Sequence, residues 1–173
     1  GVRHLLDHLY MEIDIFYASI MGDLDTVQTL VKKNSQLVTA TTSEDHALGA
    51  HLTPLHLAAQ GGHQDLVKWL LEQGADINAI AFKGLTPLHF AICFGPKDLF
   101  DPLPKIEQAG DQIGVYHMRT EIPRLLIERG ADLTLRDSDR NLTPLGLAQS
   151  AFEDETDRSD VIAVLEAADA PIL

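Results

Sequence analysis

Between Leu66 and Leu71, four apolar residues (Leu66, Val67, Leu70 and Leu71) fall at the spacing that lays one hydrophobic stripe along a helix. Just upstream, Leu55, Ala58 and Ala59 keep a helical period with small side chains, which lets a neighbouring helix approach closely. Gly62 separates the two segments, so the pattern predicts a helix, a tight turn and a second helix. Gly74 and Gly130 follow the last apolar positions of "LVKWLLEQG" and "IPRLLIERG", where a left-handed residue commonly closes a helix. Toward the N-terminus, Leu5, Leu9, Ile13, Phe16 and Ile20 step by 4, 4, 3 and 4 residues. Residues 2–10 therefore either extend the first helix or precede a start at Met11.

The helical pattern recurs. "HLTPLHLAAQGGH" from His51 to His63 returns as "GLTPLHFAICFG" from Gly84 to Gly95, with Pro54 and Pro87 33 residues apart. A third copy, "NLTPLGLAQS", puts Pro144 57 residues after Pro87, which is one period plus an insertion of 24. Thr53 and Thr86 stand where an N-cap belongs, each followed by a proline at the first helical position, which has no N–H to lose. His56 and His89 come three residues after those caps, at the spacing of a reciprocal capping box. The stretch "DIFYASIMGDLDTVQTLV" is a weaker first copy, with Asp14 and Asp23 in the places of Pro54 and His63. The last copy has Gly146 in the place of His56 and so loses that bond; Asp169 stands near its final helix end in place of glycine.

Two motifs repeating in fixed order, with a period near 33 and a T-P-L-H-x-A opening, resemble the ankyrin repeat. The resemblance implies an all-α solenoid of helix-turn-helix units joined by β-hairpin loops. It implies a single domain over 1–173, with repeats of about 11–50, 51–83, 84–140 (insertion 97–120) and 141–173. A single unit cannot bury its own apolar face, so neighbours must stack. It further implies binding of a partner protein on a concave surface of hairpin tips and first helices. Carried onto this chain, that surface takes Leu52, Gln60 and Gly61 from the first full copy. The next copy supplies Ile80, Phe82, Lys83, Leu85 and Phe94, and the last Arg136, Ser138, Asp139 and Leu142. Ile80, Phe82, Leu85 and Phe94 are apolar where such positions are typically polar, and an exposed apolar patch marks an interaction site.

Two departures from the period bear on that surface. "ATTSEDHALGAH", from Ala40 to His51, lengthens the first hairpin by seven residues. The insertion after Gly95 separates a first helix from "EIPRLLIERG", for which Thr120 is the expected cap and Pro123 a first-turn residue. It is expected to emerge opposite the hairpin tips, as a flap packing Leu99, Phe100, Leu103 and Ile106 near Trp69.

Composition narrows the function. A net charge of −13 and a pI near 4.8 argue against nucleic acid or an anionic membrane as partner. One cysteine leaves no internal disulfide and fits a reducing compartment, so an intracellular, cytoplasmic monomer is expected. His89 and Cys93 stand one turn apart, but zinc needs three or four ligands and none is tied to this pair by spacing. The cap accounts for His89, and Cys93 reads as a small packed hydrophobe. Asn78 resembles the asparagine that some animal ankyrin repeats offer to a hydroxylase, although its amide holding the tight turn after the helix explains it more simply. No nucleotide loop, metal set or catalytic triad is signalled, so neither an enzyme nor a cofactor is expected. A self-associating or architectural domain, or an enzyme without a recognisable motif, are the alternatives to a partner-binding module.

Overall fold

The computed structural model describes residues 14–93, 120–150 and 159–169, apart from the side chains of residues 93 and 169. Residues 1–10, Phe94, the side chain of Cys93 and the expected flap over 97–119 lie outside them. Among the described residues are eight α-helices and no strand. They are α1 (Ile15–Met21), α2 (Leu24–Lys33), α3 (Pro54–Gln60), α4 (Gln64–Glu72), α5 (Pro87–Cys93), α6 (Glu121–Glu128), α7 (Pro144–Ser150) and α8 (Ser159–Asp169). A short 3₁₀ helix, Ser35–Thr39, follows α2. The first helices of successive pairs stack α1 on α3, α3 on α5 and α5 on α7. The second helices form the other layer, α4 on α6 and α6 on α8.

Local chemistry sets the helix starts. Thr53 is extended, and its hydroxyl accepts from His56 N while His56 Nδ1 accepts from Thr53 N, closing the box. Thr86 and His89 repeat it at the same distances, 3.2 Å and 3.4 Å. In the first pair Asp14 stands in the proline's place and is itself the cap, accepting from Phe16 N and Tyr17 N. Asp23 caps α2 through Thr26 N, a bond His63 does not make at the start of α4. Thr143 retains half of the box, accepting from Gly146 N. Gly74 and Gly130 close their helices at φ 91° and 90° as expected.

Thr120 departs from expectation. Its backbone is already helical (φ −70°, ψ −12°), and its side chain makes no cap bond. A capping hydroxyl needs an extended backbone to reach back over the first turn, so α6 starts without one.

One apolar core runs between the two layers through Val27, Leu55, Leu66, Leu70, Leu88, Ile92, Leu126 and Leu165. A second lies beneath the hairpin tips and gathers Ile20, Leu52, Leu57, Ala81, Leu85, Phe90 and Leu147. Each such leucine is worth about 1.5–3 kcal/mol when fully buried. Every unit lends side chains to its neighbours' cores, so the stack is the folding unit.

Candidate functional site

The connections between pairs form three tips. Tip one is the lengthened segment 40–51. Thr42 pins it: its N–H donates to the Leu52 carbonyl (2.9 Å), and its hydroxyl donates to Gly49 O (2.6 Å) and accepts from Leu52 N (2.8 Å). The extra residues fold onto the start of α1. There the His46 ring meets Phe16 and Tyr17 at 5.5 Å and 5.8 Å. His46 Nδ1 accepts from Leu48 N, so Nε2 carries the proton and faces Asp14 Oδ2 at 3.5 Å.

Tip two is a tight turn, Phe82–Leu85. Lys83 (φ 58°) and Gly84 (φ 73°) are left-handed in succession, the geometry of a type I′ hairpin turn. Glycine adopts it freely; lysine does so at some cost in strain. Tip three is organised by Asp137. This residue is only 4 % exposed, and its carboxylate accepts from the N–H groups of Asp139, Arg140 and Leu142. Burial works to raise its pKa, but those three donors and nearby His89 prevail and hold it below the usual carboxylate range. Asn141 takes the left-handed position here (φ 57°), as Asn commonly can.

Main-chain bonds join the tips edge to edge. Phe82 N donates to Ala50 O (3.3 Å) between tips one and two, and Ser138 N to Lys83 O (2.8 Å) between two and three. Lys83 Nζ also pairs with Asp139 Oδ2 at 2.6 Å across the second gap. The three tips are therefore one continuous edge.

Beneath this edge, His56 bonds in both directions. Its Nδ1 serves the cap, so Nε2 carries the proton and donates to Leu85 O at 3.2 Å, in the next tip. Its ring meets Phe90 edge-on at 5.2 Å, and Phe90 meets Phe82 at 6.1 Å. Burial depresses the His56 pKa to about 4 against the pull of nearby carbonyls, so the imidazole is neutral. His89 is also buried and held below the usual imidazole range by burial, with Leu142 O and the Asp137 charge opposing. Its Nε2 faces that carbonyl without a well-formed hydrogen bond.

The expected contact surface is brought together only in part. Ile80 (54 % exposed), Lys83, Arg136, Ser138 and Asp139 are exposed along the edge. Phe82 and Leu142 are half-buried, and Gly61 likewise. Leu85, expected on the open apolar patch, is 6 % exposed because it points into the core beneath the tips. Leu52 and Gln60 (4 % exposed) are buried as well, so none of the three offers contact surface. The apolar patch is therefore smaller than its sequence suggests and centres on Ile80.

Two joints were not apparent from the motifs. His63 Nε2 donates to Ile20 O at 2.8 Å across the first two pairs, its ring lying where a Cβ on Gly22 or Gly61 would clash. Asn78 Oδ1 accepts from Asp132 N (2.8 Å) in the following unit, while Asp76 holds the local turn by accepting from Asn78 N. The Asn78 amide thus joins neighbouring units, where holding its own turn had been expected. No helix among the described residues is long and apolar enough to cross a membrane.

A family model for ankyrin repeats in three copies matches residues 15–107. An ankyrin repeat protein of Rickettsia bellii is 36% identical over 150 residues, covering 85% of this chain and 50% of its own length. Alpha-latrocrustotoxin-Lt1a of Latrodectus tredecimguttatus is 36% identical over 77 residues (44% of this chain, 5% of the toxin). Human Rabankyrin-5 is 55% identical over 40 residues (23% of this chain, 3% of that protein). The chain thus spans about half the length of the rickettsial relative and a small part of the other two. With a matched family model over more than half its length and stacked, capped helix pairs, the chain belongs to the ankyrin repeat family.

Proposed function

We propose that this chain binds a partner protein along the continuous edge of its three tips, centred on Ile80. Ankyrin repeats are in general protein–protein interaction modules. The observation that carries the surface is Ile80 itself: a large apolar side chain, 54 % exposed, on an edge whose neighbouring tips are fixed by main-chain bonds. Phe82 and Leu142 flank it as half-buried apolar ground, and Lys83, Arg136, Ser138 and Asp139 supply a polar rim. Phe94 belongs to the same proposed surface from outside the described residues. A preformed edge loses little conformational freedom on binding, which favours affinity from a modest area.

Selection of binders from a displayed protein library, followed by titration against Ile80→Asp, tests this. A charge placed at the centre of an interface must be desolvated, so affinity should fall by about tenfold or more while the circular dichroism spectrum is unchanged. Binders that keep full affinity for Ile80→Asp would place the surface elsewhere.

A further inference from the structure

The edge is not uniformly charged. Tip one carries Glu44 and Asp45, both exposed, and no lysine or arginine; His51 Nε2 lies 2.7 Å from one Glu44 oxygen, Oε1. Tips two and three carry Lys83, Arg136 and Arg140, all exposed, against one exposed carboxylate, Asp139, already paired with Lys83. With Lys83 and Asp139 cancelling and Asp137 ionised beneath, Arg136 and Arg140 leave this end net positive in a chain of net charge −13. Arg136 is also fixed in place: its Nη1 donates to Asn141 O at 2.8 Å, one of the several donors a guanidinium carries. Between the two ends stands Ile80.

Resting on the proposed binding edge, we infer that its occupant is a charge-graded, extended protein segment. The segment's basic residues face Glu44 and Asp45, an apolar side chain covers Ile80, and its acidic residues face Arg136 and Arg140. Extended, because the tips lie side by side and present a linear track. Charge graded, because a uniformly basic segment meets Arg136 and Arg140 with like charge, and a uniformly acidic one meets Glu44 and Asp45 so. Arginine suits the acidic end in particular, since its planar fork can hold a carboxylate through two parallel bonds. The grading also fixes which way the segment runs, because reversing it sets like charges together at both ends.

Fluorescein-labelled synthetic peptides with a central leucine provide the probe. One has a lysine pair before the leucine and a glutamate pair after it; a second carries the reversed order; two more carry the same charge at both ends. Fluorescence anisotropy at low salt should show both graded peptides, each running in its own direction, binding about tenfold tighter than the two uniform ones, a difference shrinking as salt screens exposed charges. An Arg136→Glu, Arg140→Glu protein, acidic at both ends of the edge, should instead prefer the uniformly basic peptide. Both positions are exposed, and circular dichroism verifies the fold of the variant.

Equal binding of graded and uniform peptides, or a preference for the graded ones that survives Arg136→Glu, Arg140→Glu, overturns the inference, as does no binding by any of the four peptides. Ile80→Asp separates this from the broader reading. If it abolishes peptide binding while charge pattern has no effect, the edge binds but is not graded. If peptide binding survives Ile80→Asp, the edge is not the binding surface and both fall.

Discussion

The joint between the second and third helix pairs and the joint between the third and fourth are built to the same plan, and one is better made than the other. At the first, His56 closes the cap box, donates to Leu85 O in the next tip and receives the edge of Phe90. At the second, His89 closes the same box, but its buried Nε2 faces Leu142 O without a well-formed hydrogen bond. The fourth pair then lacks a histidine altogether, with Gly146 in that place. A donor held in poor geometry recovers less of its desolvation cost than one well bonded. Asp137, whose charge acts on His89, organises the third tip from beneath. A repeated motif therefore does not deliver repeated stability; what the neighbour offers decides it.

Four measurements break or sharpen this contrast. Phe90→Ala removes the ring that His56 and Phe82 both contact, and should cost roughly 3–5 kcal/mol by urea denaturation. The smaller Leu147→Ala, at the far joint, should cost less; equal losses would mean the two joints are equally packed. Acid comes next. His56 is neutral in the fold with a pKa of about 4 but takes up a proton when unfolded, near 6.5. Its contribution is therefore complete above pH 6.5 and lost as the pH falls toward 4, amounting to about 3 kcal/mol. His56→Gln should flatten that slope in a pH series of melts, and an unaltered slope would assign it elsewhere.

Third in size is the histidine pair itself. His56→Leu abandons the well-formed bond to the Leu85 carbonyl, whereas His89→Leu abandons only a poorly formed one to Leu142 O. The first should therefore be the more damaging by roughly 1–2 kcal/mol in thermal or chemical unfolding. The smallest effect is a gain. At Gly146 an added Cβ meets only ordinary contacts, with Leu142 and Thr143, and the backbone is not left-handed. Gly146→His should stabilise by about 1 kcal/mol, from a better helix residue and the restored reciprocal cap. No gain in melting temperature would show that the box needs a following unit to set its histidine.

What the sequence disclosed divides by range. Thr53, Thr86 and their histidines were legible because a cap is settled within four residues, and the left-handed glycines because one residue settles them. Leu52, Leu85 and Gln60 were misplaced because their burial depends on side chains arriving from neighbouring units, tens of residues away. Thr120 has the right residue type in the wrong backbone conformation. Asn78 was recognised as a turn residue, yet its acceptor serves a unit 54 positions later in the chain. Local motifs announce helix ends, while the contact surface is decided between units. Of the described residues expected on the proposed surface, the polar rim and Ile80 are the ones the fold leaves exposed.

The His63 ring lies where two hydrogens stand in place of side chains, on Gly22 and Gly61, and bonds to Ile20 O between them. That arrangement makes the first two units a matched lock and key, cut by atoms left out. The neighbour's glycine, Gly22, recurs at Gly62 and Gly95 in the next two copies and is replaced by Phe152 in the last. A reordered unit carrying this histidine would therefore seat behind a glycine-bearing copy and meet a Cβ behind the last one, so duplication hands on a rule about neighbours as well as a shape.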